Sequence, residues 1–289
     1  MKIDGKTRTC GLFGNPVEHT LSPVIHNTLA RSMGHNLVYV PFRVEDQQVE
    51  QAVSAIRALH LAGVNVTVPH KSAVIPYLDE MDELAAKIGA VNTIVPTGEG
   101  RLKGYHTDMP GLYRAMRSEG IDVEGESVLI LGAGGAARAV AMLCATHKAK
   151  EIYMLNRSPE KARAVADEVN GLFGKEVLIP MALSDFSSLP GKEYVAVQAT
   201  SVGLYPNCDD VVLEAEEFYD LIKTGVDLIY NPETTRFMKL LKARGKRTMN
   251  GLKMLLYQGI IAYELWNACE VPGELAQEVL VRMKAELAQ

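Results

Sequence analysis

The 289-residue chain has few cysteines, and no two of them are close together in sequence. Its four cysteines are Cys10, Cys144, Cys208 and Cys269, without a C-x-x-C pair. This spacing argues against both a disulfide framework and a cysteine metal site, and it favours free thiols in a reducing cytosol. The sequence indicates no metal.

The chain also lacks a run of basic residues and a long apolar run. Its formal net charge is −5 and its pI is near 5.9, which argues against a nucleic-acid-binding surface. Its N-terminal segment has no signal-peptide core, and no segment has the apolar length of a membrane helix. We therefore expect a cytoplasmic protein with neither a nucleic-acid nor a membrane partner.

Predicted strands and helices alternate along the chain, which is typical of an α/β fold. The predicted strands are 9–13, 37–44, 64–68, 91–96, 101–105, 127–131, 151–155, 194–198 and 226–229. The predicted helices include 23–33, 47–61, 79–88, 252–267 and 273–287. A second βαβ series begins near residue 108 without a long linker, so the sequence predicts a domain boundary there.

Polar residues with an unusual arrangement occur in "VNVTVPHKSAV", residues 64–74. Val64, Val66 and Val68 alternate with Asn65 and Thr67, as in a strand with two different faces. Pro69 ends the pattern, and Lys71 follows directly. The segment is either a solvated loop or the edge of a substrate pocket that contains an ammonium group.

A glycine-rich turn follows the apolar strand in "SVLILGAGGAARAVAML". The turn comprises Gly132, Ala133, Gly134, Gly135, Ala136 and Ala137, which together read G-x-G-x-x-A. Gly132 permits a tight turn, Gly134 allows a pyrophosphate to approach the backbone, and the amides of the next helix face the phosphates. A dinucleotide site is favoured over a mere packing turn.

The next strand ends without a carboxylate, in "EIYMLNRSPEKA". Asn156, Arg157, Ser158 and Lys161 stand where an NAD enzyme usually has Asp or Glu. An arginine, a hydroxyl and a second cation would attract a 2′-phosphate. NADP is therefore favoured over NAD, although Ser158 would also serve as the N-cap of an ordinary helix.

Hydroxyl and amide side chains recur at other predicted loops and helix starts. They include Thr20, Ser22, Asn92 and Gln258, and the carboxylate of Asp108 lies at the predicted domain crossing. Each has an ordinary alternative, such as a helix cap, a turn former or a solvated position. Together they suit a ligand with several hydroxyl groups.

The motifs, taken in order, resemble those of the shikimate dehydrogenases, including the related quinate/shikimate enzymes. They are "HTLSP", "NVTVPHK", "IGAVNT", "GYHTD", "GAGGAARA", "NRSPEKA", "ATSVG" and "GLKMLLYQG". The resemblance implies reversible reduction of 3-dehydroshikimate with NADPH, in aromatic amino-acid biosynthesis. It also implies two α/β domains with a cleft between them. They are a substrate-binding and catalytic domain (1–107 with 252–289) and a Rossmann-like dinucleotide-binding domain (108–251).

The resemblance also assigns roles to individual residues. Lys71 and Asp108 match the catalytic pair. The substrate-contact positions are matched by Thr20, Ser22, Asn65, Thr67, Lys71, Asn92, Asp108, Tyr230 and Gln258. The cofactor positions are matched by Gly132 to Ala136, Asn156, Arg157, Ser158, Lys161, Thr200, Leu228, Gly251 and, more weakly, Glu83, which could equally be a solvated helix residue.

Three residues depart from the family pattern. Thr20 stands where serine is usual, Lys161 where arginine is common, and Gln198 where the usual motif has asparagine. The first bears on substrate preference and the second on NADP selectivity.

The chemistry of ketone reduction supports the catalytic pair independently of the resemblance. The reaction needs a hydride donor and a proton donor at the developing alkoxide, and a lysine held by a carboxylate can supply the proton. Which of Lys71 and Asp108 donates it stays open at this point. His70 and His106 flank the pair but lack the spacing of a metal site.

Alternatives remain for the function. One is a quinate/shikimate dehydrogenase that uses NAD or either cofactor, and another is a lysine-dependent folate dehydrogenase, whose pterin suits these residues less well. A third, of another class, is a non-catalytic NADP-binding sensor. The resemblance further implies a homodimer.

Overall fold

The computed structural model describes residues 3–191 and 193–288, which form two compact units. The first unit runs to Gly111 and resumes at Leu255, whereas the second is the continuous segment Leu112–Met254. Helices α4 (Asp108–Ser118) and α9 (Leu252–Asn267) contain the two points of division. Both units combine a sheet with helices, so the predicted α/β class is confirmed.

The first unit is built on a sheet of six described strands. They are β1 (Arg8–Gly14), β2 (Leu37–Arg43), β3 (Gly63–Val66), β4 (Glu80–Met81), β5 (Thr93–Pro96) and β6 (Leu102–Tyr105), in the order β2-β1-β3-β5-β6-β4. Its helices are α1 (Ser22–Ser32), α2 (Val49–Ala58), α3 (Glu83–Ile88) and α10 (Gly273–Leu287), with parts of α4 and α9.

The directions of these strands bring several loops to one edge of the sheet. Strand β1 is parallel to β3, whereas β5 is antiparallel to both β3 and β6. The carboxyl ends of β1, β3 and β6 therefore lie at the same edge as the start of β5. Every segment that follows or precedes a strand at this edge can contribute side chains to one site.

The core of the first unit includes a close contact between β3 and the single tryptophan. A Cβ on Gly63 would lie 2.0 Å from the indole nitrogen of Trp266, so only glycine fits there. The same indole nitrogen donates to the carbonyl of Ile94, at 3.1 Å. Helix α9 is thus fixed against β3 and β5.

The second unit has a parallel sheet of six described strands. They are β7 (Ser127–Leu131), β8 (Glu151–Asn156), β9 (Leu178–Ala182), β10 (Tyr194–Gln198), β11 (Ile222–Asp227) and β12 (Arg247–Met249). Its helices are α5 (Gly135–Thr146), α6 (Pro159–Phe173), α7 (Glu216–Asp220) and α8 (Arg236–Lys242), with parts of α4 and α9.

The strand order of the second sheet is β12-β11-β10-β7-β8-β9. The order reverses between β7 and β10, which is the doubly wound arrangement of a Rossmann fold. In such sheets ligands bind outside the carboxyl ends of the strands at the point of reversal. The predicted Rossmann-like architecture is confirmed for this unit.

Some predicted elements differ from those observed. The helix expected over 79–88 begins only at Glu83, because Asp82 caps it by accepting from the amides of Leu84 and Ala85, at 3.2 and 3.0 Å. The strand expected over 226–229 is Ile222–Asp227, and β9 and β12 were not predicted. The described helices are all too short or too polar to cross a bilayer.

Candidate active site

Lys71 and Asp108 form an ion pair at the edge of the first sheet where β3 and β6 end. The Nζ of Lys71 donates to Oδ2 of Asp108 at 2.7 Å. The two side chains are 32% and 18% exposed, so the pair is partly shielded but reachable from solvent. Gly111 ends the first part of this unit, and Asp108 therefore belongs to the same unit as Lys71.

The surroundings of Asp108 favour its ionised form. Burial alone would raise the pKa of this carboxyl group, but the Lys71 ammonium, His106 and hydrogen bonds from Lys71 and Asn92 outweigh it. The net pKa lies below the ordinary value for aspartate. Asp108 is thus a carboxylate at neutral pH and cannot donate a proton there.

His106 is close to the pair but is neutral at physiological pH. Its Nε2 lies 3.9 Å from Oδ2 of Asp108. Burial lowers the pKa of His106 more than the neighbouring Asp108 carboxylate raises it. The other flanking histidine, His70, is buried and its Nε2 lies 2.7 Å from the carbonyl oxygen of Val44, which is a packing role.

Asn92 and Thr107 hold the loops around this pair together. The Nδ2 of Asn92 donates to Oγ1 of Thr107 at 3.0 Å, and the amide of Thr107 donates to Oδ1 of Asn92 at 2.6 Å. The amide of Val91 donates to the carbonyl of Lys71 at 2.8 Å. The start of β5 thereby positions both residues of the ion pair.

Asn65 lies beneath this network, and both its side-chain oxygen and its side-chain nitrogen are hydrogen-bonded. Its Oδ1 accepts from the hydroxyl of Tyr39 at 2.9 Å, and its Nδ2 donates to the carbonyl of Asn92 at 3.2 Å and to Oγ1 of Thr93 at 3.0 Å. The residue is 4% exposed. Direct contact of Asn65 with substrate stays a prediction.

The hydroxyls of Thr20 and Ser22 lie together after β1. The Oγ1 of Thr20 donates to Oγ of Ser22 at 3.1 Å and accepts from the Ser22 amide at 3.2 Å. Ser22 is the first residue of α1, and Leu21 rather than Ser22 is its N-cap. The alternative role of Ser22 as a helix cap is therefore wrong.

Thr67 and Gln258 belong to the same unit as these hydroxyls. Thr67 follows β3 and packs on Gly14, where a Cβ would approach the Thr67 methyl group to 2.3 Å. Gln258 is buried in α9, and its Nε2 donates to the carbonyl of Leu255 at 2.8 Å. The backbone of Gln258 packs against Gly111, where a Cβ would lie 2.6 Å from its nitrogen.

The glycine turn of the second unit has the conformation expected of a phosphate site. Gly132 has a φ of +111°, and a Cβ there would lie 2.8 Å from the methyl group of Thr200. A Cβ on Gly134 or Gly135 would have no neighbour within 4 Å, so the space before α5 is open. The first turn of α5 has no acidic residue and no side-chain cap, which suits an anion.

The end of β8 places cations beside this turn. Ser158 is the N-cap of α6 but its side chain makes no capping bond, and Pro159 opens the helix. Asn156 donates from Nδ2 to the Ser158 carbonyl at 3.0 Å. Within residues 3–191 and 193–288, neither Arg157 nor Lys161 has an ion-pair partner, so both remain available to a ligand.

A cavity of about 360 Å³ lies at the carboxyl end of the second sheet. It is lined by Gly132, Leu155, Asn156, Arg157, Leu183, Thr200, Ser201, Val202, Asp210, Val211, Val212 and Glu214. It therefore contains residues that follow β7, β8 and β10, which surround the point of reversal. The residues present fit part of a dinucleotide.

The other predicted cofactor residues of this unit do not line this cavity, and they are Ala133, Gly134, Gly135, Ala136, Ser158, Lys161, Leu228 and Gly251. Leu228 donates its amide to the carbonyl of Gln198, and Gly251 donates its amide to the carbonyl of Ile229, both at 3.0 Å. A Cβ on Gly251 would lie 2.1 Å from the carbonyl oxygen of Leu228. Tyr230 follows in the same segment, and burial raises its pKa.

Glu83 is the predicted cofactor residue that the second unit does not contain. It lies in the first turn of α3, where its Oε1 accepts from Nζ of Lys87 at 2.6 Å. Its side chain is 83% exposed. A role for Glu83 in cofactor binding stays a prediction, and its contacts match those of a solvated helix residue.

Comparisons with known proteins give the same assignment along almost the whole chain. Residues 12–94 match the profile described as the shikimate dehydrogenase substrate binding domain, and residues 115–201 match that of shikimate / quinate 5-dehydrogenase. The NADP(+) shikimate dehydrogenase of Desulforamulus reducens is 45% identical, over 99% of this chain and 98% of the relative.

The chain is also similar to solved structures over nearly their full length. Shikimate 5-dehydrogenase of Thermus thermophilus, in complex with NADP(H) and shikimate, is 34% identical with a TM-score of 0.83, covering 96% of this chain and 100% of that one. Shikimate 5-dehydrogenase of Listeria monocytogenes, in complex with shikimate and NAD, is 32% identical with a TM-score of 0.88, covering 97% and 98%.

The chain belongs to the shikimate dehydrogenase family.

Membership of the shikimate dehydrogenase family confirms the resemblance that the motifs indicated. The structure adds residues that sequence reasoning did not select for the site. Tyr39 and Thr107 complete the hydrogen-bond network of the first unit, and Asp227 contacts Gln198 in the second. Gln198 offered a signal, because a polar residue ends the apolar strand β10. Tyr39 offered none, because its partner Asn65 is distant in sequence.

The described part of this shikimate dehydrogenase family member contains no cluster of potential metal ligands. Across residues 3–191 and 193–288, no three His, Cys, Asp or Glu side chains converge as metal ligands would.

Proposed function

We propose that this protein is a shikimate dehydrogenase, which catalyses the reversible reduction of 3-dehydroshikimate to shikimate with NADPH. The ion pair between Lys71 and Asp108 is the observation that carries this proposal, since it provides an ammonium group at the edge of a network of hydroxyls and amides. The relatives named as shikimate dehydrogenases support the substrate and the cofactor.

Lys71 is the proton donor of the reduction in this proposal. Bound NADPH supplies a hydride to the carbonyl carbon, and the carbonyl oxygen takes up one proton. The N–H groups of the Lys71 ammonium stabilise the developing alkoxide, and one of their protons is transferred to it. The resulting amine regains a proton from solvent, which the 32% exposure of the side chain permits.

Asp108 holds the lysine and does not itself donate the proton. The carboxylate keeps the ammonium within 2.7 Å and can also accept a hydrogen bond from a substrate hydroxyl. His106 is excluded as the proton donor because its lowered pKa leaves it neutral.

The substrate's carboxylate and ring hydroxyls are proposed to bind to the polar residues at the same edge. Thr20 and Ser22 bind the carboxylate end, and Asn92, Thr67 and Gln258 bind ring hydroxyls. Tyr230, in the second unit, is proposed as a further substrate contact. These side chains offer neutral donors and acceptors, which suit a small acid with several hydroxyls.

The second unit is proposed to bind NADP through the residues around its cavity. Gly132 to Ala136 would hold the pyrophosphate at the start of α5, and Asn156, Arg157, Ser158 and Lys161 would hold the 2′-phosphate. Thr200, Leu228 and Gly251 complete the site. The first unit correspondingly binds substrate, and because Asp108 belongs to it, the predicted boundary between residues 107 and 108 moves to Gly111.

A spectrophotometric assay tests the function directly. We expect the purified protein to oxidise shikimate with NADP faster than shikimate with NAD or quinate with either cofactor. Faster quinate turnover would favour the quinate/shikimate alternative. Binding of NADP without turnover of either acid would favour the sensor. Sedimentation tests the implied homodimer, and fractionation of the source cells tests the implied cytoplasmic location.

A further inference from the structure

Asp227 is a fully buried carboxylate that the proposed reaction does not use. It ends β11 and is 0% exposed. Within the described chain, no lysine, arginine or histidine lies within ion-pair distance of it. A buried carboxylate without a cation is costly, so it is retained only where hydrogen bonds hold it.

Three donors from three different segments hold Asp227. Thr235, the N-cap of α8, donates its hydroxyl to Oδ2 at 2.6 Å. The amide of Ile229, in the segment after β11, donates to Oδ1 at 3.0 Å. The Nε2 of Gln198, at the end of β10, donates to the same Oδ1 at 3.4 Å.

Gln198 connects this carboxylate to the turn that lines the cavity. Its Oε1 accepts from the amide of Thr200 at 2.6 Å and from the Thr200 hydroxyl at 2.8 Å. Its Nε2 also donates to the carbonyl of Val202 at 3.1 Å. Thr200 and Val202 both line the cavity, so one buried amide group fixes their backbone.

Asp227 and the backbone of the Thr200–Val202 turn favour the same orientation of the Gln198 amide. An ionised carboxylate only accepts hydrogen bonds, so the NH₂ group of Gln198 has to face it. The Oε1 atom then faces Thr200, whose amide N–H needs an acceptor. A neutral amide at position 227 would present both a donor and an acceptor, and the contribution of Asp227 to this orientation would be lost.

We propose that Asp227 is a positioning residue for cofactor binding, which orients Gln198 and thereby shapes the Thr200–Val202 turn of the cavity. The inference rests on the proposed binding of NADP at this cavity. In this proposal Gln198, which departs from the family motif, holds the Thr200–Val202 turn in place.

Calorimetric titration of NADP into the full-length protein, without substrate, tests the proposal. We expect Asp227→Asn to raise the Kd for NADP about 10-fold, as the loss of hydrogen bonds to a charged group implies, and to raise the Kd for NAD equally. Gln198→Met should have the same effect. The double variant should bind NADP no more weakly than whichever single variant has the higher Kd, because both substitutions act through one network.

Two control variants separate positioning from stability. Thr235→Val removes a hydrogen bond from Asp227 but leaves its contact with Gln198, so it should lower the unfolding temperature without changing the Kd. Asp220→Asn removes an exposed carboxylate of the same unit and should change neither quantity. Circular dichroism at the titration temperature shows which variants are folded.

Several results would overturn the proposal. It is wrong if folded Asp227→Asn binds NADP as tightly as the native protein. If Asp227→Asn does not fold, Gln198→Met alone tests the proposal. Native affinity of folded Gln198→Met for NADP would then contradict it. If the native protein does not bind NADP at all, the proposed function fails, and this inference fails with it.

Discussion

Lys71 and Asp108 are 37 positions apart in the chain, yet Nζ of one lies 2.7 Å from Oδ2 of the other. The pairing follows from the sheet, because β3 and β6 end at the same edge and each is followed closely by one of these residues. We expect Lys71→Ala to fold normally and to lose roughly 10²–10⁴-fold in kcat for shikimate oxidation, since a positioned acid/base group contributes that much.

Lys103→Ala is the matched control for this variant. Lys103 lies in the same unit, its side chain is 30% exposed, and it has a carboxylate neighbour in Glu80 at 3.9 Å. Its removal should leave kcat nearly native. Near-native turnover by Lys71→Ala would remove Lys71 from the mechanism.

Arg157 is predicted to distinguish NADP from NAD. Because its guanidinium group would contact only the 2′-phosphate, Arg157→Ala should raise the Kd for NADP about 10- to 100-fold and leave the Kd for NAD nearly unchanged. Arg163→Ala removes the same charge from an exposed position of α6 and should change neither Kd. Equal losses of affinity for both cofactors would instead show that Arg157 contacts the adenine or stabilises the fold.

Thr20 is predicted to set the preference between shikimate and quinate. Quinate carries an extra hydroxyl on the carbon beside its carboxylate, and in the proposed binding mode the β-branched Thr20 would take up space there with its methyl group. The native protein should therefore prefer shikimate, and Thr20→Ser should shift the ratio of kcat/KM toward quinate. Thr97→Ser is the control. An unchanged ratio in Thr20→Ser would show that the methyl group is not the cause.

Tyr39 is predicted to support substrate binding from beneath the site. Tyr39→Phe removes the hydroxyl that donates to Asn65 and leaves a buried acceptor unsatisfied, so the Asn65–Asn92 network should loosen. We expect kcat/KM for shikimate to fall about 10-fold. Tyr263→Phe removes another buried tyrosine hydroxyl of this unit, bonded to His35 at 2.6 Å, and should not lower kcat/KM. Equal losses in both variants would contradict the specific role of Tyr39.

Asp227 is predicted to make stability depend on pH with an unusual sign. Burial raises its pKa to about 6 from 3.8, so the folded protein binds a proton that the unfolded chain releases, and stability from this group is lost as pH rises toward and through 6. Asp227→Asn does not titrate. The difference in unfolding free energy, variant minus native, should therefore rise by roughly 2 kcal/mol between about pH 4 and pH 7.

Urea denaturation at several pH values measures this difference. Asp220→Asn, which removes an exposed carboxylate of the same unit, serves as the control. A difference that does not vary with pH would show that the Asp227 carboxyl group is not perturbed by burial.

The sequence predicted elements well where local patterns decide them. Helices α9 and α10 and strand β7 occupy the predicted ranges, because their apolar periodicity and flanking residues suffice to define them. It predicted the order of the fold and the end of the strand before the glycine turn, whereas β3 ends at Val66, two residues before the predicted end. The start of α3 was misplaced, because the capping by Asp82 competes with an apparently longer helical pattern.

Interactions between distant segments were beyond sequence reasoning. The resemblance assigned Asn65 to a substrate contact, but the sequence did not reveal its hydroxyl partner Tyr39, which is 26 positions away. The contact between Gln198 and Asp227 spans 29 positions. Such pairs depend on which strands become neighbours, and residue patterns within one strand do not encode that.

The close packing of Trp266 on Gly63 also has a consequence for how the chain is made. The second unit is continuous, so all its strands have emerged from the ribosome soon after Met254 has been synthesised. The sheet of the first unit, although translated earlier, lacks the tryptophan until residue 266 follows. The unit that is translated first is therefore the one completed last, because its sheet gains Trp266 only after the second unit has been translated.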